Sequence, residues 1–258
     1  MGHEEKTEQK VVREQDFLFE KSWTCPVCHQ DFKALTVRSS KVRVIGKDPD
    51  LRPRYDQLDM LKYDVVMCPS CGYAALAKFF PAMTPVQAKN IKEMISARFT
   101  PQTEKKEIYT YDEAVQRYRV VLANALAKMA KAGEKAYISL KLAWILRSKM
   151  EHLEQEAPGY EAQKKQCESQ EEEFARKALD GFIDARQTED FPICGMDQPT
   201  LDYLIAVLAL RFGQYDVSSH MISGILQSDM ASPRVKDKAR DLKEEVLAKK
   251  KEAESAAG

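Results

Sequence analysis

No window of this sequence approaches ~20 uninterrupted apolar residues, so no membrane-spanning helix is expected. The longest apolar stretch, Leu201 to Leu210, is interrupted by Asp202 and Tyr203 and is too short. Excess charge of either sign is missing as well: 40 Lys and Arg face 40 Asp and Glu. A neutral chain has no general attraction for nucleic acid or an anionic membrane, so either partner would need a local patch. Met1 to Asp16 alternates charges and lacks an apolar core of ~7–15 residues, which excludes a secretory signal there. Histidine is scarce, with His3, His29, His152 and His220 the four copies. None stands in a recognisable nucleophile or base pattern with cysteine, serine or carboxylate. Walker-type loops, dinucleotide fingerprints and zinc-protease motifs are absent too. The run Glu171-Glu172-Glu173 reads as a solvated helix face. No enzyme and no small-molecule substrate are therefore expected, and the chain reads as soluble and cytoplasmic.

What is present is a cysteine pattern. Of six cysteines, four form two Cys-Pro-x-Cys pairs, Cys25-Pro26-Val27-Cys28 and Cys68-Pro69-Ser70-Cys71. A secreted disulfide scaffold would be shorter and more uniformly cysteine-rich, so paired short spacings point to a metal. Two residues between cysteines let one tight turn aim both thiolates at a single ion. Proline after the first cysteine fixes φ and favours that turn, and Gly72, just past the last, is free to take positive φ. Four thiolates complete a tetrahedron and leave no open position for water, which predicts one closed, structural zinc ion on Cys25, Cys28, Cys68 and Cys71. A redox Cys-x-x-Cys needs only one pair, and this chain has two. His29 is read as an exposed turn residue, not a fifth ligand. Cys167 and Cys194 are read as buried or idle thiols.

Along the chain four stretches separate: a polar tail at 1–16, a zinc-ribbon-like module at 17–80, a helical domain at 81–250, and a fraying end at 251–258. Ala34 to Arg38, Lys41 to Ile45 and Tyr63 to Met67 are predicted strands, the second half-exposed because charged and apolar residues alternate at period two. Helices are predicted near 85–99, 111–131, 134–155, 161–187, 199–212, 214–228 and 233–249. Thr84-Pro85, Ser232-Pro233 and Pro199 supply starts, and Gly133, Pro158-Gly159 and Gly213 supply separators. Tyr137 to Arg147 matches Tyr203 to Arg211 in character. The second copy is followed by Gly213-x-Tyr215-x-x-Ser218-x-x-x-Ile222, which is similar to the middle of a tetratricopeptide repeat. The fold class expected is thus mainly α with a small β zinc-ribbon module, its helical hairpins packed in a tetratricopeptide-like (TPR-like) array.

The insert between the cysteine pairs is basic: Lys33, Arg38, Lys41, Arg43, Lys47, Arg52 and Arg54 face only Asp48 and Asp50. Positive strands near Tyr55 and Tyr63 suit a nucleic-acid backbone, with Arg38, Lys41 and Arg43 as candidate contacts. The blander reading is a solvated strand face balanced by Asp56, Asp59 and Asp64.

The cysteine segments, with Val37 to Lys41, Tyr63 to Ala74, Leu142 to Arg147 and Thr200 to Tyr215, resemble a bacterial family catalogued as domain of unknown function 2225. The resemblance runs from about Phe17 to Val246. It implies a zinc-ribbon-like N-terminal part and a tetratricopeptide-like C-terminal part, and no activity. The leading expectation is a zinc-stabilised, non-enzymatic adaptor with a protein or peptide partner; the alternative is a nucleic-acid-binding zinc ribbon.

Overall fold

The computed structural model describes residues 13–102 and 104–257, so the expected polar tail lies outside the described residues as far as residue 12. From residue 13 the chain is tied down. A 3-10 turn at Glu14–Phe17 brings Glu14 to Lys62, whose Nζ donates to Oε1 at 2.7 Å, and to the Tyr63 hydroxyl.

Three antiparallel hairpins follow, each its own two-stranded sheet: β1 (Leu18–Thr24) with β2 (Asp31–Val37), β3 (Val44–Lys47) with β4 (Pro53–Tyr55), and β5 (Val65–Met67) with β6 (Ala74–Leu76). The predicted alternating strand at Lys41 to Ile45 begins later than its sequence suggests. Ser39–Lys41 forms a 3-10 turn, Val42 is buried, and the ladder slips between Val44 and Gly46. That irregularity breaks the period of two, so Val44 and Ile45 both face solvent. Tyr63 likewise belongs to a 3-10 turn, Met60–Tyr63, capped by the Asp59 carboxylate, which accepts from the Leu61 N–H at 3.0 Å.

Seven helices complete the described chain: α1 (Pro85–Met94), α2 (Tyr111–Ala127), α3 (Ala132–Glu151), α4 (Tyr160–Thr188), α5 (Gln198–Arg211), α6 (Tyr215–Gln227) and α7 (Pro233–Ala257). Thr84 caps α1 as its sequence predicts, and two residues not singled out there, Thr110 and Asp197, cap α2 and α5. Thr84 with Gln87, and Thr110 with Glu113, form capping boxes, and Asp197 accepts from the Thr200 N–H at 2.9 Å ahead of α5. Gly133 is not a separator. It sits in the first turn of α3, where a Cβ would meet the Ile193 methyl at 2.7 Å. The chain turns instead at Met129, in the left-handed region with φ 54°. The predicted fraying end is helical as far as Ala257.

α3 and α5 are apolar on most sides of their middle turns and form the centre, with Leu140, Leu142, Ile145, Leu204, Ile205 and Leu208 fully buried. α4 packs on α3 and α6 on α5 as helical hairpins. Small residues sit at the contacts, Ala178 on α4 and Ser218 on α6, whose hydroxyl donates to the Ala206 carbonyl at 2.8 Å. The same core takes Leu61, Val65, Ala74 and Leu76 from the β segment, so hairpin β5–β6 shares its interior with the helices.

The β3–β4 hairpin is fastened to the helices by charge. Arg52, only 1% exposed, donates to Asp48 at 2.6 Å, to Glu151 at 2.6 Å and to the Ser148 hydroxyl at 3.2 Å. Arg147 reaches Asp50 at 2.9 Å and Glu171 at 2.7 Å, and the Trp144 indole donates to Asp50 at 3.0 Å. Arg211 closes the chain of pairs on Glu171. Glu171 therefore does not share a solvated face with its neighbours: it is buried, and its charge is answered from α3 and α5.

Candidate metal centre

Each cysteine pair occupies the tip of a hairpin, and the two tips are built alike. Cys25 N–H donates to the Gln30 carbonyl at 3.0 Å and His29 N–H to the Cys25 carbonyl at 2.9 Å. Cys68 N–H donates to the Tyr73 carbonyl at 2.8 Å and Gly72 N–H to the Cys68 carbonyl at 3.1 Å. The fourth residue after each leading cysteine is left-handed: Gly72 at φ 74°, as its lack of a side chain predicts, and His29 at φ 61°. Val27 N–H points back at Cys25 Sγ, 3.4 Å away, and the Thr24 hydroxyl closes the neck of the first tip on Asp31 at 2.7 Å.

The tips face each other. Cys25 Sγ lies 3.6 Å from Cys71 Sγ, and Cys28 Sγ 3.6 Å from Cys68 Sγ. All four sulfurs fall within 4.8 Å of one another, the only such cluster of potential metal ligands among the described residues. A tetrahedron with ~2.3 Å metal–sulfur bonds has edges of about 3.8 Å, so the donor set fits a single tetrahedral cation. Crowding alone sets the thiols against each other. The S–H of Cys25, then that of Cys71, holds the Cys68 thiol below its ordinary value, while hydrogen bonding to Cys68 pushes Cys25 up. Cys71 is pushed up by Cys25 and Cys68. A bound cation removes this competition, because it stabilises all four thiolates at once.

An aromatic shell covers the cluster. Phe80 is fully buried, with ring centroids 5.4 Å from Trp23, 5.8 Å from Phe32 and 4.9 Å from Tyr73, whose hydroxyl donates to the Phe80 carbonyl at 3.1 Å. Helix α2 reaches the second tip through Asn124, whose amide donates to the Gly72 carbonyl at 3.3 Å and the Val120 carbonyl at 2.9 Å. Sequence reading missed Asn124 and the left-handed role of His29. The mark of the first is a polar residue on a largely apolar helix face; the mark of the second is weak, histidine being among the few non-glycine residues enriched in the left-handed region.

The remaining predicted residues lie elsewhere. Arg38, Lys41 and Arg43 are exposed, but Arg38 donates to the Leu18 carbonyl at 3.3 Å and Lys41 to the Asp16 carbonyl at 3.1 Å. Of the other basic residues, Arg52 and Arg54 are consumed by Asp48 and Glu151. The acids expected to balance them are committed too: Asp56 to the Arg43 N–H, Asp59 to its cap and Asp64 to Lys141 at 2.5 Å. Cys167 is buried in α4 and Cys194 half-buried; burial pushes both thiols up, the second to about 12, which disfavours reactive thiolates. No described helix is long and apolar enough to cross a membrane.

Neither curated proteins nor solved structures yield a match to this chain. One family does, over residues 18–246, a span that takes in both cysteine tips and all but the end of the helical array. The chain belongs to that family, described as an uncharacterized protein conserved in bacteria (DUF2225).

Proposed function

We infer that the four cysteines hold one structural zinc ion and that the protein is a cytoplasmic, non-enzymatic adaptor. The observation that carries the zinc reading is four sulfurs at tetrahedral spacing, three of them on buried cysteines. All-thiolate tetrahedra accept iron as well as zinc, and zinc is the ion a reducing cytosol chiefly supplies. Four protein ligands leave no site for a reactive water, so the ion staples two hairpin tips and does no chemistry.

The adaptor reading rests on the helices. Paired hairpins with small residues at their contacts, and a left-handed Gly213 between α5 and α6, suit a TPR-like array whose inner face holds an extended peptide. The nucleic-acid alternative keeps Arg38, Lys41 and Arg43 as its contacts. It ranks second because two of the three already donate to backbone carbonyls.

Two measurements test this. Metal analysis of freshly purified protein is expected to find about one zinc per chain; a clear shortfall removes the zinc reading. A pull-down from host lysate, with and without nuclease, addresses the adaptor. A defined protein partner that survives nuclease supports it, whereas nucleic acid lost on mutation of Arg43 puts the alternative first.

A further inference from the structure

The four cysteines are not equally sheltered. Cys25 and Cys68 are 0% exposed and Cys71 7%, while Cys28 is partly open to solvent. Its Sγ sits 3.6 Å from Cys68 Sγ on the opposite tip. We propose that Cys28 and Cys68 form a peroxide-responsive pair whose oxidation to a disulfide expels the zinc and frees the β1–β2 tip. This rests on the zinc reading.

The chemistry balances with a hydroperoxide as the oxidant. The Cys28 thiolate attacks one oxygen of hydrogen peroxide; the S–O bond forms, the O–O bond breaks, and hydroxide leaves. Cys28 is then a sulfenic acid and a poor ligand. The Cys68 thiolate attacks its sulfur, the S–S bond forms, the S–O bond breaks, and a second hydroxide leaves. Each hydroxide takes a proton from solvent. Two sulfurs have each lost one electron and two peroxide oxygens have each gained one. Closing the Sγ–Sγ distance from 3.6 Å to a bond of ~2.05 Å is a movement of about 1.5 Å. Cys25 and Cys71 are equally close to one another, but both are buried, so neither offers peroxide the access that Cys28 does.

Loss of two ligands leaves Cys25 and Cys71, too few to hold the ion. The two tips then differ in what still holds them. The second keeps Asn124 on the Gly72 carbonyl and shares the main core through Val65, Ala74 and Leu76. The first keeps only apolar contacts within the cluster around Phe80, through Trp23, Val27, Phe32 and Ala34, with no hydrogen bond from a helix to it among the described residues. The β1–β2 tip is therefore the part that loosens.

The test uses the full-length, zinc-loaded chain with reductant removed. Zinc content is measured first, then zinc release into a colorimetric chelator after hydrogen peroxide is added. Linked peptides are fragmented by mass spectrometry. The expected result is release of the ion with loss of two thiols per chain and a Cys28–Cys68 crosslink, reversed by dithiothreitol and added zinc. Cys28→His keeps a zinc ligand that forms no disulfide, and is expected to slow release by about tenfold or more. Release from that variant as fast as from the natural chain overturns the proposal. So does a crosslink confined to other cysteines. If the histidine variant holds no zinc, the crosslink map of the natural chain decides alone. A chain that never takes up zinc sinks the zinc reading and the switch together, whereas a zinc-loaded chain that keeps its ion under peroxide sinks the switch only.

Discussion

At the two hairpin tips one backbone problem is solved by different residues. Gly72 takes positive φ at no steric cost, and it has a second reason to be glycine: a Cβ there would lie 2.5 Å from the Phe99 ring. Gly72→Ala is expected to lower stability by roughly 2–4 kcal/mol, combining a left-handed alanine with a forced shift of a packed ring. Urea denaturation of the zinc-loaded protein reads this, and an unchanged midpoint contradicts it. His29 meets the same turn through its backbone, its N–H donating to the Cys25 carbonyl, and its side chain is exposed. That difference was half legible in the sequence. The glycine advertises a left-handed turn, while His29 was legible as an exposed turn residue but not as a left-handed one.

Among the elements, the β3–β4 hairpin is the one whose character changes most between sequence and structure. As a string it is a run of bases suited to an anionic partner. Folded, its end is a clamp of ion pairs on α3, with Arg52 buried between Asp48 and Glu151. A buried ion pair contributes little net stability against an apolar replacement, but breaking one is costly because a charge is left without its partner. Arg52→Ala is expected to destabilise by about 3 kcal/mol, the lower end of that range because Glu151 remains a third exposed. Stability unchanged in thermal and urea unfolding would refute the clamp.

The same pairs give a pH dependence of defined sign. Burial pushes the Glu171 carboxyl up, but Arg211 and Arg147 outweigh it and hold it below the usual range; Asp48 and Glu151 are held down in the same way by Arg52 and Arg54. A carboxyl whose folded value is depressed adds stability above its unfolded value near ~4, and loses it as pH falls through the folded one. The natural chain should therefore lose more stability between about pH 6 and pH 3 than Glu171→Gln does. Parallel pH profiles for the two proteins would remove Glu171 from the account.

For the whole molecule, the cysteine tips are continuous with the helices and not a bead beside them. Phe80, Ile91 and Ala127 pack around the cysteines, and Leu61, Val65, Ala74 and Leu76 enter the helical core. Removing the ion with a chelator is expected to lower the melting temperature of the entire chain, by roughly 6–12 °C for each ~3 kcal/mol of binding energy lost. Below that transition most of the helical signal should persist, since α3 to α6 bury their own core. A melting temperature indifferent to chelation would mean that the ion, if bound, supports nothing.

Sequence by itself determined what depends on neighbours a few residues apart. The tip chemistry of Cys-Pro-x-Cys, the capping boxes at Thr84 and Thr110, and the largely apolar middles of α3 and α5 follow from local spacing and periodicity. Only the tertiary structure decided what depends on distant partners. Which sulfur faces which across the two tips, Cys25 against Cys71 and Cys28 against Cys68, the burial of Arg52 against a helix nearly a hundred residues away, and the recruitment of Glu171 into an interior ion network all belong to that second class. The physical reason is the same in each case. A charge or thiol in a string has an intrinsic chemistry, but its partner, its exposure and hence its role are set by which surfaces the hydrophobic core brings together.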